Sequence, residues 1–196
     1  MTSRRASPSF HRIDETVFRS AMGQYPTGVA VVTTMTAKGP VGMVVGTFTS
    51  VSVDPPLVAF LARRGSVTSG QLRAAPTFVV NVLGADQIGL SRSFSAGPAA
   101  DRWAGVRWYP SPVGNPVLEG VVLWVECDQH VLHEAGDHHI VVGAVRAISA
   151  RSAPPLLFHR GQYRRLAVEP VVDRGHHPLP RVDLRAGQVA LAERSR

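Results

Sequence analysis

The residues best suited to holding a ligand lie between positions 40 and 52. Gly42 and Gly46 carry no side chain there, so the main chain could approach a flat ligand closely. A cluster of hydroxyl groups follows in the same stretch and offers both donors and acceptors: Thr47, Thr49, Ser50 and Ser52. The alternative is that both glycines mark kinks in a strand and that the hydroxyls belong to ordinary strand residues.

Two further places could contact a polar ligand. Ser66 and Thr68 stand at the start of a short predicted helix, where unpaired N–H groups favour an anion, and Arg63 and Arg64 precede them. A capped surface helix is the alternative there. Asn81 lies in an otherwise apolar strand, where a buried amide needs partners from a ligand or from a neighbouring main chain.

Several common catalytic and binding motifs are absent from the sequence. It contains no GxGxxG at the start of a strand–helix unit, no GxxxxGK[ST] phosphate loop and no GxSxG nucleophile turn. His138-His139 and His176-His177 are adjacent pairs, and neighbouring strand residues point to opposite faces, so no metal site is predicted. Cys127, the only cysteine, follows an apolar run and is predicted to be a buried, inert thiol.

Length, composition and charge indicate one globular domain. The chain has 196 residues, of which 44% are hydrophobic and 18% charged. No apolar run reaches the ~20 residues needed to cross a bilayer, and no apolar segment of a signal peptide follows the basic N-terminus. We therefore expect no membrane partner and a cytoplasmic location.

The net charge of +7 raises the possibility of nucleic-acid binding, but the charge is concentrated at the ends. Residues 21–159 carry nine Lys and Arg against eight Asp and Glu. The sequence also shows no recognition helix, zinc-finger spacing or aromatic-basic RNA motif. We expect no nucleic-acid partner.

Strand signals dominate the chain after residue 28. The predicted strands cover 29–35, 41–53, 57–62, 77–83, 121–131, 140–148 and 156–158, the last resuming near Tyr163. Short helices are predicted over 13–23, 67–74 and 86–94, with Asp86 as the N-cap of the third. Six or more strands with few helices favour a closed or nearly closed antiparallel barrel, which leaves few exposed strand edges.

Four stretches occur in a characteristic order: 18–34, 42–58, 78–83, and 136–145 followed by 155–161. The first contains YPTGVAVVTT, the second GMVVGTFTSVSVDPPLV, the third FVVNVL and the fourth GDHHIVVGAV with PLLFHRG. Together they closely resemble the flavin reductase-like family of the FMN-binding split barrel, over roughly residues 14–166. The resemblance implies a mainly β fold, namely a six-stranded antiparallel Greek-key split β-barrel with a few short helices, in a homodimer.

The resemblance also implies an activity. Members transfer hydride from NADH, or sometimes NADPH, to FMN or FAD, and the reduced flavin leaves for a separate monooxygenase. One alternative keeps the fold without the turnover: a module that holds FMN tightly as a carrier or prosthetic group. Another alternative is a barrel that binds no flavin at all.

The site residues implied by the resemblance fall into three groups. The flavin contacts are Pro40, Val41, Gly42, Met43, Val44, Gly46, Thr47, Ser66, Thr68, Asn81, Phe94 and Ser95, although Phe94 could equally be core packing. The nicotinamide-cofactor segment is Phe158, His159, Arg160 and Gly161, with Arg160 facing pyrophosphate unless it belongs to a solvated face. His138 lines the pocket where nicotinamide stacks on flavin and steadies the hydride donor, unless it is simply bonded to Asp137.

Two positions depart from the family pattern. Many members have Thr where Val44 stands and Asn where Gly46 stands, so this chain lacks two polar contacts. We expect residues 1–13 to form a flexible arm, 14–169 the split-barrel domain, and 170–196 an extended or partly disordered tail.

Overall fold

The computed structural model describes residues 13–96 and 101–166, and the backbone alone of residues 190–191. The arm predicted for 1–12 and almost all of the tail predicted for 170–196 lie outside the described residues. The helices are α1 (Glu15–Met22), α2 (Val67–Ala74) and α3 (Ile88–Ser95). The strands are β1 (Thr27–Gly28), β2 (Ala30–Thr36), β3 (Gly39–Val45), β4 (Thr49–Ser52), β5 (Leu57–Arg63), β6 (Thr77–Val82), β7 (Trp108–Pro110), β8 (Pro116–Leu118), β9 (Leu123–Ala135), β10 (His138–Ala150), β11 (Leu157–His159), β12 (Gln162–Arg164) and β13 (Ala190–Leu191).

The main sheet runs in the order β3-β2-β6-β9-β10-β5-β4, and the short β13 pairs with β10. A three-stranded sheet contains β1, β11 and β12, and β7 pairs with β8. The pairings are antiparallel. The predicted mainly β, antiparallel fold class is confirmed, with seven strands along the main path where six were expected.

A short link between β3 and β4 forces the main sheet to curl. Seven strands spaced ~4.8 Å apart would place the two edges of a flat sheet ~29 Å from each other. β3 and β4 are those edges, yet only residues 46–48 join them, and such a link spans at most about 14 Å. The sheet therefore rolls into a barrel. At the barrel seam, where the link meets β5, the Thr47 hydroxyl accepts a hydrogen bond from the main-chain N–H of Leu61 at 2.9 Å.

Two apolar cores lie on the two faces of this curled sheet. The inner core fills the barrel and includes Phe60 and Phe78, whose rings meet edge to face with centroids 5.3 Å apart. The outer core lies between the sheet and a cover formed by α3, β7 and β8, and includes Phe94 and Leu118. β2 and β6 contribute to both cores, which explains why their sequences are almost continuously apolar.

Most predicted elements are confirmed, and three differ. The helix predicted over 67–74 matches α2. The strand run predicted over 41–53, with interruptions at Gly42 and Gly46, is divided into β3 and β4 at residues 46–48, whereas β3 continues through Gly42. Asp86 does not cap α3, because Gln87 holds the N-cap position and makes no side-chain cap. The β7–β8 pair has no sequence prediction, since prolines and glycines interrupt residues 110–120.

Within the described ranges, no helix combines the length and the apolar character needed to cross a membrane.

Replacing Gly143 with Ala should destabilise the fold. A Cβ atom there would lie 2.5 Å from the Phe78 ring and 2.7 Å from the Cys127 Cβ, inside the inner core. Overpacking of this kind costs about 1–3 kcal/mol of the free energy of unfolding, which urea denaturation measures.

The matched control is Gly70→Ala in α2, where no heavy atom beyond the helix's own backbone lies within 4 Å of the new Cβ. This change should leave the free energy of unfolding equal or raise it by up to ~1 kcal/mol. Equal stability of the Gly143→Ala protein and the wild type would contradict the described inner core.

Candidate functional site

The strand β3 presents its predicted ligand contacts on two different faces. Val41, Met43 and Val45 pack against the inner core, whereas Val44 packs against the outer core. The Met43 side chain fills the barrel interior, so the flavin contact predicted for this residue would have to come from its main chain. The outer face of β3 is the one available to a ligand.

A cavity of about 340 Å³ opens between one end of β3 and α2. We refer to it as the β3–α2 cavity. Four predicted ligand contacts line it: Pro40, Val41, Gly42 and Thr68. Its remaining walls come from residues that the sequence did not indicate: Thr36, Lys38, Gly39, Gln71, Arg102 and Trp103.

The β3–α2 cavity has the chemistry of an anion site. Lys38 and Arg102 line it, and none of its described lining residues is acidic. Arg102 donates a hydrogen bond from Nη1 to the Thr68 hydroxyl at 3.2 Å. The Arg102 Nε atom is buried without a hydrogen-bond partner among the described residues. A buried guanidinium N–H favours an anionic partner, and a phosphate meets that requirement.

Phe94 packs against β3 at Gly42. A Cβ at Gly42 would come 2.4 Å from the Phe94 ring and 3.2 Å from Trp103, and the two rings meet edge to face at 5.0 Å. Phe94 is 2% exposed within the outer core. The prediction of a Phe94 ligand contact is thus corrected to core packing, and the close approach that Gly42 permits is to these two rings.

A second cavity, of about 200 Å³, lies at the other end of β3, next to β11. We refer to it as the β3–β11 cavity. It gathers four predicted residues from separate parts of the sequence: Val44, Gly46, Ser95 and Phe158. Hydroxyl groups of Thr27, Ser91 and Tyr163 join them. The Ser91 and Tyr163 oxygens are 2.9 Å apart, so the rim is a fixed polar contact.

Gly46 lies close to Thr27 at one end of the β3–β11 cavity. A Cβ at this position would lie 2.9 Å from the Thr27 hydroxyl. A larger side chain at position 46 would therefore displace Thr27. The Thr27 side chain thus occupies the space beside Gly46.

Two predicted contacts have structural partners instead of facing either cavity. The Thr47 hydroxyl closes the barrel seam with Leu61. The Ser66 hydroxyl caps α2 by accepting a hydrogen bond from the Ser69 N–H at 3.4 Å. The capped-helix alternative thus describes Ser66, whereas Thr68, two residues further along, reaches the β3–α2 cavity.

Asn81 is fully buried and bonded within the protein. Its Nδ2 donates to the Thr33 hydroxyl at 2.9 Å and to the Val31 carbonyl at 3.2 Å, and its Oδ1 accepts from the Leu118 N–H at 2.9 Å. These bonds join β2 and β8 to β6. The prediction that Asn81 contacts flavin is therefore corrected, because its donors and its acceptor are engaged at 0% exposure.

His138 stands at the tip of the β9–β10 hairpin, apart from both cavities. Gly136 and Asp137 form the turn before it, and the His138 Nδ1 atom lies 2.8 Å from the Asp137 carboxylate. This hydrogen bond lowers the pKa of Asp137 below its usual value. The alternative of a turn-end histidine bonded to Asp137 describes the geometry, and the side chain remains 38% exposed.

The neighbouring His139 is buried beneath α2. Its Nε2 lies 3.4 Å from Nη1 of Arg73, and burial together with the Arg73 charge lowers its pKa. A neutral ring accepts the Arg73 donor. Arg64 lies at the same tip, where it reaches Glu134 at 3.5 Å, so the positive charge expected near α2 comes instead from Lys38 and Arg102.

The segment 158–161 consists of the end of β11 and the two-residue turn, 160–161, that leads to β12. Arg160 and Gly161 both have positive φ angles, 51° and 73°, as a two-residue hairpin turn requires. The Arg160 guanidinium donates to the Gln24 side-chain oxygen, from Nε at 2.8 Å, so a pyrophosphate contact requires it to leave Gln24. Neither His159 nor this turn lines the two cavities; Phe158 lines the β3–β11 cavity.

The remaining titratable groups fit a site without a metal or a reactive thiol. Burial raises the pKa of the Cys127 thiol to about 12. Across the described ranges 13–96 and 101–166, no group of three His, Cys, Asp or Glu side chains is arranged to hold a metal ion.

Comparisons with known proteins find relatives over most of the chain. The flavin reductase like domain family matches residues 22–167. A flavin reductase from Pseudomonas putida is 48% identical over 153 residues, which are 77% of this chain and 89% of that protein. The reductase subunit HsaB of a flavin-dependent monooxygenase from Mycobacterium tuberculosis is 39% identical over 155 residues, or 78% and 82% of the two chains. A solved structure of the Streptomyces globisporus NADH:FAD oxidoreductase SgcE6, in complex with NAD and FAD fragments, has a TM-score of 0.75 at 37% identity and covers 82% and 99%.

Replacing Asn81 with Leu should destabilise the protein by about 2–4 kcal/mol, because the Leu118 N–H would lose its buried acceptor and Thr33 its donor. Urea denaturation in the absence of any ligand measures this loss. A ligand contact would give the opposite pattern, with unchanged stability of the free protein and weakened flavin binding.

Proposed function

Because the chain belongs to the flavin reductase-like domain family, we propose that the outer face of β3 binds its flavin. The protein is an NAD(P)H-dependent flavin reductase that supplies reduced flavin to a partner monooxygenase. The flavin, when bound, accepts a hydride from the reduced nicotinamide, and the two cofactors supply this chemistry themselves. The task of the protein is to bind both and to align them.

The cationic lining of the β3–α2 cavity is the observation that supports this assignment most directly. Lys38 and Arg102, with no acidic neighbour in the lining, suit the phosphate of a flavin nucleotide. The Thr68 hydroxyl stands beside Arg102 and offers a further contact. Pro40 and Gly42 present main chain to the same space, so the flavin phosphate would lie at this end of β3.

The β3–β11 cavity suits the flat part of the ligand pair. Its walls combine apolar Val44 with the ring of Phe158, which meets Tyr163 edge to face at 5.4 Å. Gly46 adds no side chain of its own to this wall, where the Thr27 hydroxyl and the Phe158 ring remain. Phe158 is the member of the predicted nicotinamide-cofactor segment that lines this cavity.

His138 remains our candidate for orienting the nicotinamide. Its bond to Asp137 fixes the ring orientation, and its exposure leaves the rest of the ring free for a second molecule. Because His138 lies apart from both cavities of one chain, we propose that a second copy of the chain brings the surfaces together.

Reduced nicotinamide nucleotides form inside the cell, so we also propose a cytoplasmic location.

The helix α1 provides a face for such a second copy. None of its residues is buried, yet Val17, Phe18 and Met22 lie on one side and are 54–61% exposed. Ile13 and Tyr25 extend this apolar surface at 68% and 69% exposure. An apolar stripe of this kind is typical of an interface, and a two-fold homodimer buries it twice.

The purified protein should oxidise NADH only when FMN or FAD is added, as absorbance at the nicotinamide band measures.

Replacing His138 with Ala should mainly raise the KM for NADH, by about tenfold, since the side chain aligns the donor without exchanging protons. The exposed His133→Ala in the same hairpin is the matched control and should leave the KM unchanged. Absence of NADH oxidation with either flavin would refute the function.

Replacing Val17 with Asp should convert the proposed dimer into a monomer, because a charge would be buried at the centre of the apolar α1 face. Sedimentation velocity at micromolar concentration measures the mass. Ser20→Asp, on the polar side of α1, is the control and should stay dimeric. A wild-type protein that sediments as a monomer would contradict the proposed homodimer.

A further inference from the structure

The β3–α2 cavity continues into a second, more open hollow that no part of the proposed hydride transfer uses. This hollow measures about 390 Å³ and shares Thr36, Lys38 and Gln71 with the cavity. We refer to it as the α2 hollow. Its other walls are apolar or small: Met35, Ala37, Ala74, Ala75 and Pro76.

The two spaces form one groove between α2 and the turn that joins β2 to β3. Thr68 lies at one end of the groove, Gln71 at the junction and Ala75 at the other end, so the groove follows one face of the helix. The seven steps from Thr68 to Ala75 correspond to about 10 Å along a helix axis. The turn opposite is held by the Thr36 hydroxyl, which donates to the Gly39 carbonyl at 2.8 Å.

The chemistry of the groove changes from one end to the other. Arg102 and Thr68 supply donors at the first end, and the exposed Lys38 adds a cation at the junction. Beyond the junction no described lining residue is charged, and Met35, Ala74 and Pro76 offer a shallow apolar floor. Gln71 places a side-chain amide, with both donors and an acceptor, at the rim of that floor.

We propose that the α2 hollow is an adenosine subsite and that the enzyme binds FAD in preference to FMN. The proposal rests on the proposed function, because it takes the anion site of the β3–α2 cavity as the flavin phosphate site. FMN ends at that phosphate. FAD continues with a second phosphate, which Lys38 meets at the junction, and with a flat adenine, which the apolar floor covers.

The primary test is equilibrium binding of FAD and FMN to the full-length protein, measured by quenching of flavin fluorescence. FAD should bind at least about tenfold more tightly than FMN, since the adenosine adds buried apolar contact. Ala74→Leu fills the hollow with a side chain that cannot stack on adenine, and it should reduce the preference for FAD while leaving the Kd of FMN unchanged.

Gly70→Leu is the matched control for this variant. Gly70 lies in the same helix, lines neither space and has no heavy atom beyond the helix's own backbone within 4 Å of its Cβ position. It should preserve the ratio of the two dissociation constants. This comparison separates filling of the hollow from a general effect of leucine on α2.

Lys38 offers a measurement that needs no variant, because it is the only lysine in the chain. Its acylation by an amine-specific reagent, followed by peptide mass spectrometry, should be slowed more by saturating FAD than by saturating FMN. Equal protection by both flavins, equal affinity for both, or equal weakening of both by Ala74→Leu would overturn the adenosine subsite and leave flavin reduction intact. Failure of both flavins to bind would instead overturn the proposed function.

Discussion

The link of three residues between β3 and β4 is the constraint on which the rest of the architecture depends. The two strands lie at opposite edges of the main sheet. A link of this length requires the sheet to curl until its edges meet. Curling gives β3 an inner face that fills the barrel and an outer face that remains accessible. The two candidate cavities open at the two ends of β3, and the contact of Phe94 with Gly42 lies on its outer face.

The same closure explains why so few polar groups of the barrel are available to a ligand. The Thr47 hydroxyl is engaged in a hydrogen bond that closes the barrel. The Asn81 side chain is engaged in hydrogen bonds that attach β8 to β6 and β2. What remains for binding is main chain at glycines, helix-borne hydroxyls and two cations. In the proposed site these groups would hold a phosphate and a flat ring, which suits a reaction whose electrons belong to the cofactors.

Local patterns predict most of the elements, and the differences have physical causes. α2 is predicted residue for residue because a capping serine begins it. Gly46 interrupts the strand pattern of 41–53, but only the closure of the barrel shows that residues 46–48 separate β3 from β4. Asn81 was misassigned because only the fold shows that Thr33 and the Leu118 N–H surround it. No local sequence pattern predicts that Lys38 and Arg102 line one cavity. They are 64 positions apart along the chain, and only folding brings them together.

The position of the two cations has a consequence for how the flavin is exchanged. Lys38 is exposed and Arg102 reaches a cavity that is open to solvent, so a phosphate bound there, as proposed, would stay in contact with water. An open anion site holds its ligand without enclosing it. An enzyme that must pass reduced flavin to a separate monooxygenase needs this balance, because tighter burial of the phosphate would align the ring equally well and then retain the product.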